Sequence, residues 1–424
     1  MNRGFALKGD ICDSRGENEL LTMPGGYVVC VDGVSRGVFP RLPEEYAGLP
    51  LVDCSGKLVI PGLVDLHMHA PQYAYRGLGM DLELLDWLNT YTFPEETRYV
   101  DFDYAQAQYA KVAADLRRGP NTRAILFGTV HLPATELLME LLEETGLVTL
   151  VGKVNMDRNA PDSLLEKDWE RSLGDTRLWL EHVEGRFSRT RPILTPRFIP
   201  SCTEPLMEGL ARIQEETGLP LQSHLSENQK ECSWVQELCP ASQNYAHAYA
   251  RYGVIAPGRR TVMAHCVWCT PEEAQLLKDC GAFVAHCPQS NSNLASGIAP
   301  VRAYLREGLS VGLGSDVAGG TNPSIFRAMA DAIQVSKLRW RLVDDALPPL
   351  TVAEAFFLGT RGGGAFFGKV GSFEEGYEMD ALVIDDEGLG TPCARGLEDR
   401  LARVVYLPEE GRLQHKFVRG EQLF

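Results

Sequence analysis

The sequence predicts an α/β protein: a (β/α)₈ TIM-like barrel with a small β-sandwich domain built from both termini. Short apolar runs alternate with longer amphipathic segments through the middle of the chain, which is typical of a barrel. Both ends instead carry short β-like runs separated by Gly and Pro. The runner-up is an open doubly wound sheet, but no Gly-x-Gly-x-x-Gly follows the first run.

The apolar runs of the central region are the predicted barrel strands. In order, they are Val59–His69, Ala124–His131, Val148–Asp157, Ile193–Phe198, Leu219–Glu227, Val262–Cys266, Phe283–Pro288 and Leu309–Asp316. The segments Glu204–Gly218, Pro271–Gly281 and Val301–Gly308 have the helical spacing expected of crossover connections.

The ends of the chain predict the second domain. Gly25–Val31 precedes an Asp-Gly turn, and Asp380–Asp385, Ala402–Leu407 and His415–Gly420 read as strands near the C-terminus. We expect residues 1–58 and 375–424 to form the small domain and residues 59–374 to form the barrel.

Composition excludes several classes of partner. The net charge of −16 and the pI of about 5.1 argue against nucleic acid and against an anionic membrane surface. No stretch has the apolar length of a membrane span, and the first residues lack the apolar core of a signal peptide. The odd count of 11 scattered cysteines predicts reduced thiols and a cytoplasmic protein.

The most informative residues end the first predicted strand, where Asp65, His67 and His69 follow an apolar run. Because side chains alternate along a strand, His67 and His69 point the same way and can share one cation. A His-x-His pair alone is a weak signal, since two histidines can simply end a strand. The other predicted strands supply further ligands.

Polar residues at the carboxyl ends of barrel strands converge on one mouth. Those ends carry, in chain order, His67, His69, Arg197, His224, Glu227, His265, His286 and Asp316. Imidazoles and a carboxylate suit zinc, and iron or manganese is also compatible with this set. Three histidines and one aspartate leave a position for water, which a divalent metal makes nucleophilic.

Three of these residues are the predicted catalytic groups. Glu227 lies three residues past His224, from where it can pass a proton from water to the substrate. Alternatively, Glu227 is a solvated carboxylate in a loop with no role in catalysis. His265 is expected to be an electrostatic partner of the nucleophile, and Asp316 is expected to be both a metal ligand and a base.

Several segments together resemble the amidohydrolase superfamily. They are His67-x-His69, Ser223-His-Leu-Ser-Glu227, Ala264-His265, His286-Cys-Pro and Gly312-Leu-Gly-Ser-Asp316. Within it, further segments are similar to the guanine deaminase family: Pro71-Gln-Tyr73, Leu84–Leu88, Tyr91-Thr-Phe-Pro94, Gly152–Asp157, Thr195-Pro-Arg-Phe198 and Asp316-Val-Ala-Gly-Gly320.

The resemblance implies hydrolysis of guanine to xanthine and ammonia, with one purine bound beside one divalent metal and zinc as the first choice. It implies metal ligands at His67, His69, His224 and Asp316. It also implies that Arg197 binds the purine carbonyl, that Phe198 flanks the ring and that Gln72 holds another polar edge. His224, Glu227 and His286 are further expected substrate contacts. Relatives of this kind also suggest a homodimer.

Alternatives remain open at this point. Binuclear relatives place a carbamylated lysine at the end of strand 4, but that strand ends in Arg197-Phe198, so we expect one metal. The substrate could be another heterocycle, such as 8-oxoguanine, a triazine or a pterin. A metal-free scaffold is a further alternative, although no metal-binding residue is missing. The aromatic loop over residues 70–94 could close over the purine, or its Trp87 and Leu88 could form a buried helix patch.

Overall fold

The computed structural model describes residues 4–390, 393, 395–409 and 411–424. The strands are, in chain order, β1 (Gly4–Gly16), β2 (Glu19–Val31), β3 (Val34–Phe39), β4 (Leu51–Pro61), β5 (Leu63–His69), β6 (Asn121–Phe127), β7 (Val148–Gly152), β8 (Val154–Asn155), β9 (Thr190–Pro192), β10 (Thr195–Pro196), β11 (Leu221–Leu225), β12 (Thr261–His265), β13 (Phe283–His286), β14 (Ser310–Leu313), β15 (Ala381–Asp385), β16 (Arg412–Val418) and β17 (Glu421–Gln422).

The α-helices are, in the same order, α1 (Leu84–Trp87), α2 (Phe93–Thr97), α3 (Phe102–Arg118), α4 (Leu132–Glu143), α5 (Trp169–Val183), α6 (Glu204–Thr217), α7 (Gln229–Leu238), α8 (Tyr245–Arg251), α9 (Pro271–Asp279), α10 (Pro288–Asn293), α11 (Val301–Glu307), α12 (Ile325–Leu342), α13 (Val352–Phe357) and α14 (Leu397–Tyr406). Short 3₁₀ and π turns join some of them, including Ala70–Tyr75 and Leu88–Thr92. None of the helices in the described ranges is long and apolar enough to cross a membrane.

Parallel strands form the central part of the α/β fold. One sheet has the order β5-β6-β7-β9, a second has the order β11-β12-β13-β14, and β8 pairs with β10. A parallel bridge between Leu194 and Leu221 joins the two larger sheets on one side. On the other side, Asp316 N–H donates to His67 O over 2.8 Å, which brings the end of the last strand beside the first.

The interior between these sheets is filled by apolar side chains from several strands. Val64, Leu66, Ile125, Ile193 and Val262 are buried in one contiguous cluster. Because successive side chains on a strand face opposite sides, each strand also presents side chains to the surrounding helices. This packing fixes the positions of the carboxyl ends of the strands.

The two ends of the chain share one sheet. Seven strands have the order β17-β16-β15-β4-β1-β2-β3, and β15 pairs with β4 in antiparallel orientation. Buried Arg123 of β6 ties this sheet to the parallel strands, because its Nε donates to Asp380 Oδ2 over 2.7 Å. Buried Lys416 of β16 reaches the end of α3, where its Nζ donates to Leu116 O, Arg117 O and Gly119 O.

Three of the predicted barrel strands differ from the observed ones. The run Val148–Asp157 is two strands in different sheets, because β7 pairs with β6 and β9, whereas β8 pairs with β10. The run Val59–His69 is two strands, because the chain changes sheets at Gly62: β4 pairs with β15, and β5 pairs with β6. The run Ile193–Phe198 contains the two-residue strand β10, whereas β9 ends just before the run at Pro192. Each of these short strands ends in a proline, which cannot donate a ladder hydrogen bond.

The prediction of a strand at Ala402–Leu407 was wrong, since these residues lie mainly in α14. Leu401, Val404 and Val405 are buried, and this spacing of three and four residues is that of one helical face. The β-branched pair Val404-Val405 led to the wrong prediction, because short apolar runs do not distinguish a strand from a buried helix face.

Candidate active site

Strand ends bring the predicted histidines together. We use the name histidine–aspartate cluster for His67, His69, His224, His265 and Asp316. His67 and His69 lie at the end of β5, His224 lies in β11, His265 ends β12 and Asp316 follows β14. All five side chains are buried. The cluster therefore combines residues from four strands that are far apart in the sequence.

The atoms of this cluster face one another at short distances. His69 Nε2 and His224 Nε2 are 3.1 Å apart, and His67 Nε2 lies 3.1 Å from Asp316 Oδ1. His69 Nε2 is 3.6 Å from the same carboxylate oxygen. Ligand atoms of His67, His69 and His224 all lie within 4.8 Å of one another. This is the spacing of side chains that can bind one ion.

The hydrogen bonds of the cluster fit a metal cation. His224 Nδ1 lies 2.6 Å from Arg197 O, so this nitrogen carries the hydrogen and Nε2 presents a lone pair. Among the described side chains, buried His67 Nε2 makes no well-aligned hydrogen bond, although Asp316 is near. Opposed imidazole lone pairs repel each other unless a cation lies between them. The residues therefore fit a divalent metal ion.

Electrostatics favour the metal-binding protonation state of His69, His224 and Asp316. Burial, reinforced by His67, holds the pKa of both His69 and His224 well below the usual range, so both are neutral. Burial opposes ionisation of Asp316, but His67 and His265 outweigh it and hold the pKa of Asp316 well below its usual value. Neutral imidazoles and an ionised carboxylate are the forms that bind metal.

Backbone geometry also marks these strand ends. His265 has a φ of 75° and Asp316 has a φ of 46°, in the left-handed region that non-glycine residues rarely adopt. Such strain concentrates at functional sites, where surrounding contacts hold it in place. Asp65 supplies some of those contacts, because its carboxylate accepts hydrogen bonds from His67 N, Ser315 N and Ser315 Oγ.

Glu227 lies beside the cluster. Its Oε2 is 3.4 Å from His265 Nε2, which in turn is 3.7 Å from Asp316 Oδ2. Burial and the nearby charges of Asp316 and Glu231 raise the pKa of Glu227 well above its usual value. Glu227 can therefore hold a proton near neutral pH, which is the property expected of a proton shuttle.

A cavity with an empty volume of about 400 Å³ opens next to these groups. Its walls combine apolar side chains with convergent polar groups, the two components of small-molecule sites. The lining residues are His69, Gln72, Leu84, Trp87, Leu88, Arg197, Phe198, His224, Glu227, His265, Leu294 and Asp316. The loop after β5 thus supplies part of the wall through Leu84, Trp87 and Leu88.

Three further buried polar side chains form what we call the recognition triad: Gln72, Glu96 and Arg197. Gln72 and Arg197 line the cavity. Gln72 Nε2 donates to Glu96 Oε1 over 2.9 Å, and Arg197 Nη1 donates to Glu96 Oε2 over 2.6 Å. Gln72 Oε1 accepts from Ala318 N over 3.2 Å. The triad thus holds the side chains of Gln72 and Arg197 in place at the cavity wall.

The structure brings most of the predicted site residues together, and one lies apart. His67 belongs to the cluster but does not line the cavity, while His286 belongs to neither the described cavity lining nor the candidate metal groups. Burial, with a contribution from His265, lowers the pKa of His286 to about 3. A substrate contact by His286 stays a prediction.

Sequence reasoning missed several residues of the site. Glu96 belongs to the recognition triad, Asn291 Oδ1 lies 2.9 Å from His265 Nδ1, and Ser296 Oγ donates to Glu227 Oε1 over 3.2 Å. Cys287 lies within 4.8 Å of ligand atoms of the cluster. Cys287 could have been found from the sequence, because it directly follows the predicted site residue His286. Glu96 could not, because the Glu95-Glu96 pair looks like an ordinary acidic first turn of a helix.

Comparisons with known proteins identify the family of the chain. Residues 58–423 match the family model described as the amidohydrolase family. The chain belongs to this family. It is 37% identical over 381 residues to guanine deaminase of Dictyostelium discoideum, covering 88% of this chain and 84% of that protein. It is 33% identical to guanine deaminase of Escherichia coli (strain K12), with coverages of 88% and 84%.

A solved structure is similar over the whole chain. It is the crystal structure of guanine deaminase from C. acetobutylicum with guanine bound in the active site. The TM-score is 0.96 and the sequence identity is 42%, with 100% of each chain covered. The predicted resemblance to guanine deaminases within the amidohydrolase superfamily is confirmed.

Proposed function

We propose that this protein is a hydrolase that converts guanine and water to xanthine and ammonia. The observation that carries the proposal is that Gln72 and Arg197 of the recognition triad line the same cavity as Glu227 and residues of the histidine–aspartate cluster. Similarity to guanine deaminases from several organisms supports guanine over another heterocycle. The presence of every expected metal-binding side chain argues against a metal-free scaffold.

We assign the metal to His67, His69, His224 and Asp316, with zinc as the proposed ion. Nitrogen ligands with one carboxylate suit zinc, and a zinc-bound adenosine deaminase from Xanthomonas campestris shares the fold. When bound, the ion supplies Lewis acidity that makes water a nucleophile near neutral pH. Side chains of the protein carry out the remaining steps, which are purine binding and proton transfer.

Arg197 and Gln72 orient the ring in this proposal. The Arg197 guanidinium donates to the 6-oxo group, and Gln72 binds a second polar edge of the purine. Phe198 flanks the ring plane, and Leu84, Trp87 and Leu88 exclude bulk water. Together these contacts place C2, which carries the amine to be lost, on the side of the cavity nearest Glu227.

Glu227 moves the protons. As the water oxygen bonds to C2, Glu227 accepts a proton from that water and delivers it to N3, the ring nitrogen beside C2 that carries no hydrogen. The C2–N3 double bond opens and C2 becomes tetrahedral. A second proton from the water reaches the amine through Asp316, and the C–N bond breaks to release ammonia. His265 lies between the two carboxylates and stabilises their negative charge.

We also propose the finer architecture that the sequence predicted. The two four-stranded parallel sheets would close into one (β/α)₈ barrel, supported by the contacts that join them on both sides. The shared terminal sheet supports a small β domain made of residues 1–58 and 375–424. A homodimer in the cytoplasm is proposed from the family resemblance and the sequence.

The test is incubation of the purified protein with guanine, 8-oxoguanine, a triazine and a pterin, while ammonia and ring products are measured. We expect one equivalent each of ammonia and xanthine from guanine, with little turnover of the other three. The protein carrying Glu227→Gln is the control for contaminating activity. If guanine releases no ammonia while another of these compounds is turned over, the proposal is wrong.

A further inference from the structure

Glu96 is a buried carboxylate to which the proposed mechanism assigns no step. It lies in α2, and the side chains of both Glu96 and Arg197 are only 4% exposed. Its two oxygens have different partners: Oε1 accepts from Gln72 Nε2 and Oε2 accepts from Arg197 Nη1. Glu96 therefore touches both side chains that the proposed function assigns to purine recognition, without itself lining the cavity.

These contacts determine how the Gln72 amide is oriented. A primary amide can rotate by a half turn and exchange its donor and acceptor ends. At one end of Gln72, the Glu96 carboxylate can only accept, and at the other end Ala318 N–H can only donate. The reversed amide would oppose donor to donor and acceptor to acceptor, so one orientation is fixed.

The same carboxylate holds Arg197 in place. A guanidinium has five N–H donors in a rigid plane, and only one of its nitrogens is used by Glu96. The buried negative charge keeps the positive group at the cavity wall, and the Arg197 guanidinium carbon lies 5.2 Å from the centre of the Phe93 ring. Within the part of the chain that the structure describes, the other guanidinium donors have no hydrogen-bond partner, so they can bind a carbonyl oxygen.

We propose that Glu96 is a positioning residue that sets purine specificity, by fixing the Gln72 amide polarity and the Arg197 donor plane for a 6-oxopurine. This inference rests on the proposed guanine deamination. A ring with a 6-oxo group matches the donors of Arg197, whereas a purine without that oxygen leaves them unpaired in a buried site. Leaving a buried polar group unpaired costs about 1–3 kcal/mol, or roughly 5- to 150-fold in affinity.

The first test uses Glu96→Gln, which keeps the size of the side chain. Its amide offers one acceptor where two are needed, so either Gln72 or Arg197 meets a donor. We expect the KM for guanine to rise roughly 10- to 100-fold, with a smaller change in kcat and an unchanged metal content.

Calorimetry with hypoxanthine and purine separates recognition from turnover, because neither carries the 2-amine. Wild-type protein should bind hypoxanthine, which has the 6-oxo group, more tightly than purine. Glu96→Gln should remove most of that preference, mainly through weaker binding of hypoxanthine. An unchanged preference, or equal losses for both ligands, would overturn the assignment of specificity to Glu96.

Glu95→Gln is the matched control on the same helix. Glu95 accepts a hydrogen bond from Tyr104 Oη and lies 3.3 Å from Arg98 Nη1, away from the cavity lining. This change should leave the guanine KM close to that of the wild type. A shift as large as that of Glu96→Gln would show that loss of any α2 carboxylate disturbs the cavity, which contradicts a specific role for Glu96.

The double variant Glu96→Gln with Gln72→Glu covers the case in which the single variant fails to fold. It restores all three internal hydrogen bonds with exchanged polarity, because the carboxylate introduced at position 72 accepts from both Ala318 N and the new amide at position 96. We expect a melting temperature near the wild type and a still elevated guanine KM. A wild-type KM in this protein would show that polarity at Gln72 is irrelevant and would overturn the proposal.

Failure of the proposed function would be visible separately. If the wild type releases no ammonia from guanine, guanine deamination is wrong, whatever the variants do. The affinities for hypoxanthine and purine do not depend on turnover and still decide the role of Glu96. Release of ammonia with no effect of Glu96→Gln on either affinity would leave the function intact and remove the inference.

Discussion

Two groups of polar side chains at the cavity are built differently. We call the histidine–aspartate cluster with Glu227 the cluster side, and the recognition triad the triad side. The histidine–aspartate cluster consists of residues at or just after strand ends, and the sheets hold their backbones in fixed register. In the recognition triad, Arg197 follows a two-residue strand, while Gln72 and Glu96 come from turns and short helices after β5. The first side is positioned by the sheets, and the second is positioned by side chains that bind one another.

This difference has a consequence for the proposed chemistry. A change on the cluster side removes a reacting group, so it should lower kcat. A change on the triad side displaces the ring or weakens its binding, so it should act mainly on KM. Variants on the two sides should therefore separate in steady-state kinetics.

The largest effect is expected on the cluster side, from Glu227→Gln. The amide keeps its shape but cannot shuttle a proton, so kcat should fall by roughly 10²- to 10⁴-fold with KM almost unchanged. Steady-state kinetics with guanine measures both parameters. Exposed Glu237→Gln on α7 is the control and should have wild-type kinetics. A kcat for Glu227→Gln close to that of the control would show that Glu227 is not the proton shuttle.

The next effect is expected on the triad side, from Arg197→Lys. Lysine keeps the charge beside Glu96 but lacks the planar fork, so the guanine KM should rise roughly 10- to 100-fold. Arg123→Lys is the matched control, because Arg123 is also a buried arginine paired with a carboxylate, in this case Asp380. It should lower the melting temperature and leave KM alone. Equal KM changes in both proteins would contradict a recognition role for Arg197.

A smaller effect is expected from Ser296→Ala. The change removes the hydrogen bond from Ser296 Oγ to Glu227 Oε1 but no reacting group. We expect kcat to fall roughly 2- to 10-fold, as for loss of one neutral donor. Ser292→Ala is the comparison, because the Ser292 hydroxyl donates to Pro288 O within α10. If both serine variants lose the same activity, the Ser296 contact has no special role.

Lys416→Met should not change the kinetics with guanine, because Lys416 lies in β16 and is not part of the cavity lining. Burial, with Arg117 nearby, lowers the pKa of Lys416 to about 7 from an ordinary value of 10.5. Between these two pH values the unfolded chain holds a proton that the folded protein releases. The wild type should therefore gain stability relative to Lys416→Met as pH rises from about 7 to about 10.5, by at most about 5 kcal/mol.

Urea unfolding of both proteins across this pH range measures the difference, and kcat for guanine should stay the same in the variant. A stability difference that does not change with pH would mean that Lys416 stays charged when buried. In that case its three carbonyl partners would compensate for the loss of water.

The contrast between the two sides also explains what the sequence could predict. His67, His69, His224 and Asp316 lie at the ends of runs that the alternation of strands and helices predicts to be barrel strands, so the predicted fold placed them at one mouth. The same reasoning placed Arg197 at a strand end, whereas its role in purine binding and the choice of Gln72 came from the resemblance to guanine deaminases. The structure places both residues in the cavity lining.

Glu96 could not be predicted in this way, because its role depends on contacts between segments far apart in the sequence. Adjacent glutamates in the first turn of a helix are usually solvated and favoured by the helix dipole. Only the packing of α2 against the turn after β5 buries one of them between Gln72 and Arg197. Likewise, only tertiary pairing with β15 reveals that Val59 and Ile60 belong to the terminal sheet.

The central claim is that His67, His69, His224 and Asp316 bind a single divalent ion. Equilibrium dialysis of metal-stripped protein against zinc, followed by metal analysis, tests it most directly. We predict one zinc per chain in the wild type and loss of this site in folded His224→Ala. Retention of one equivalent by that variant, or no zinc uptake by folded wild type, would contradict the account.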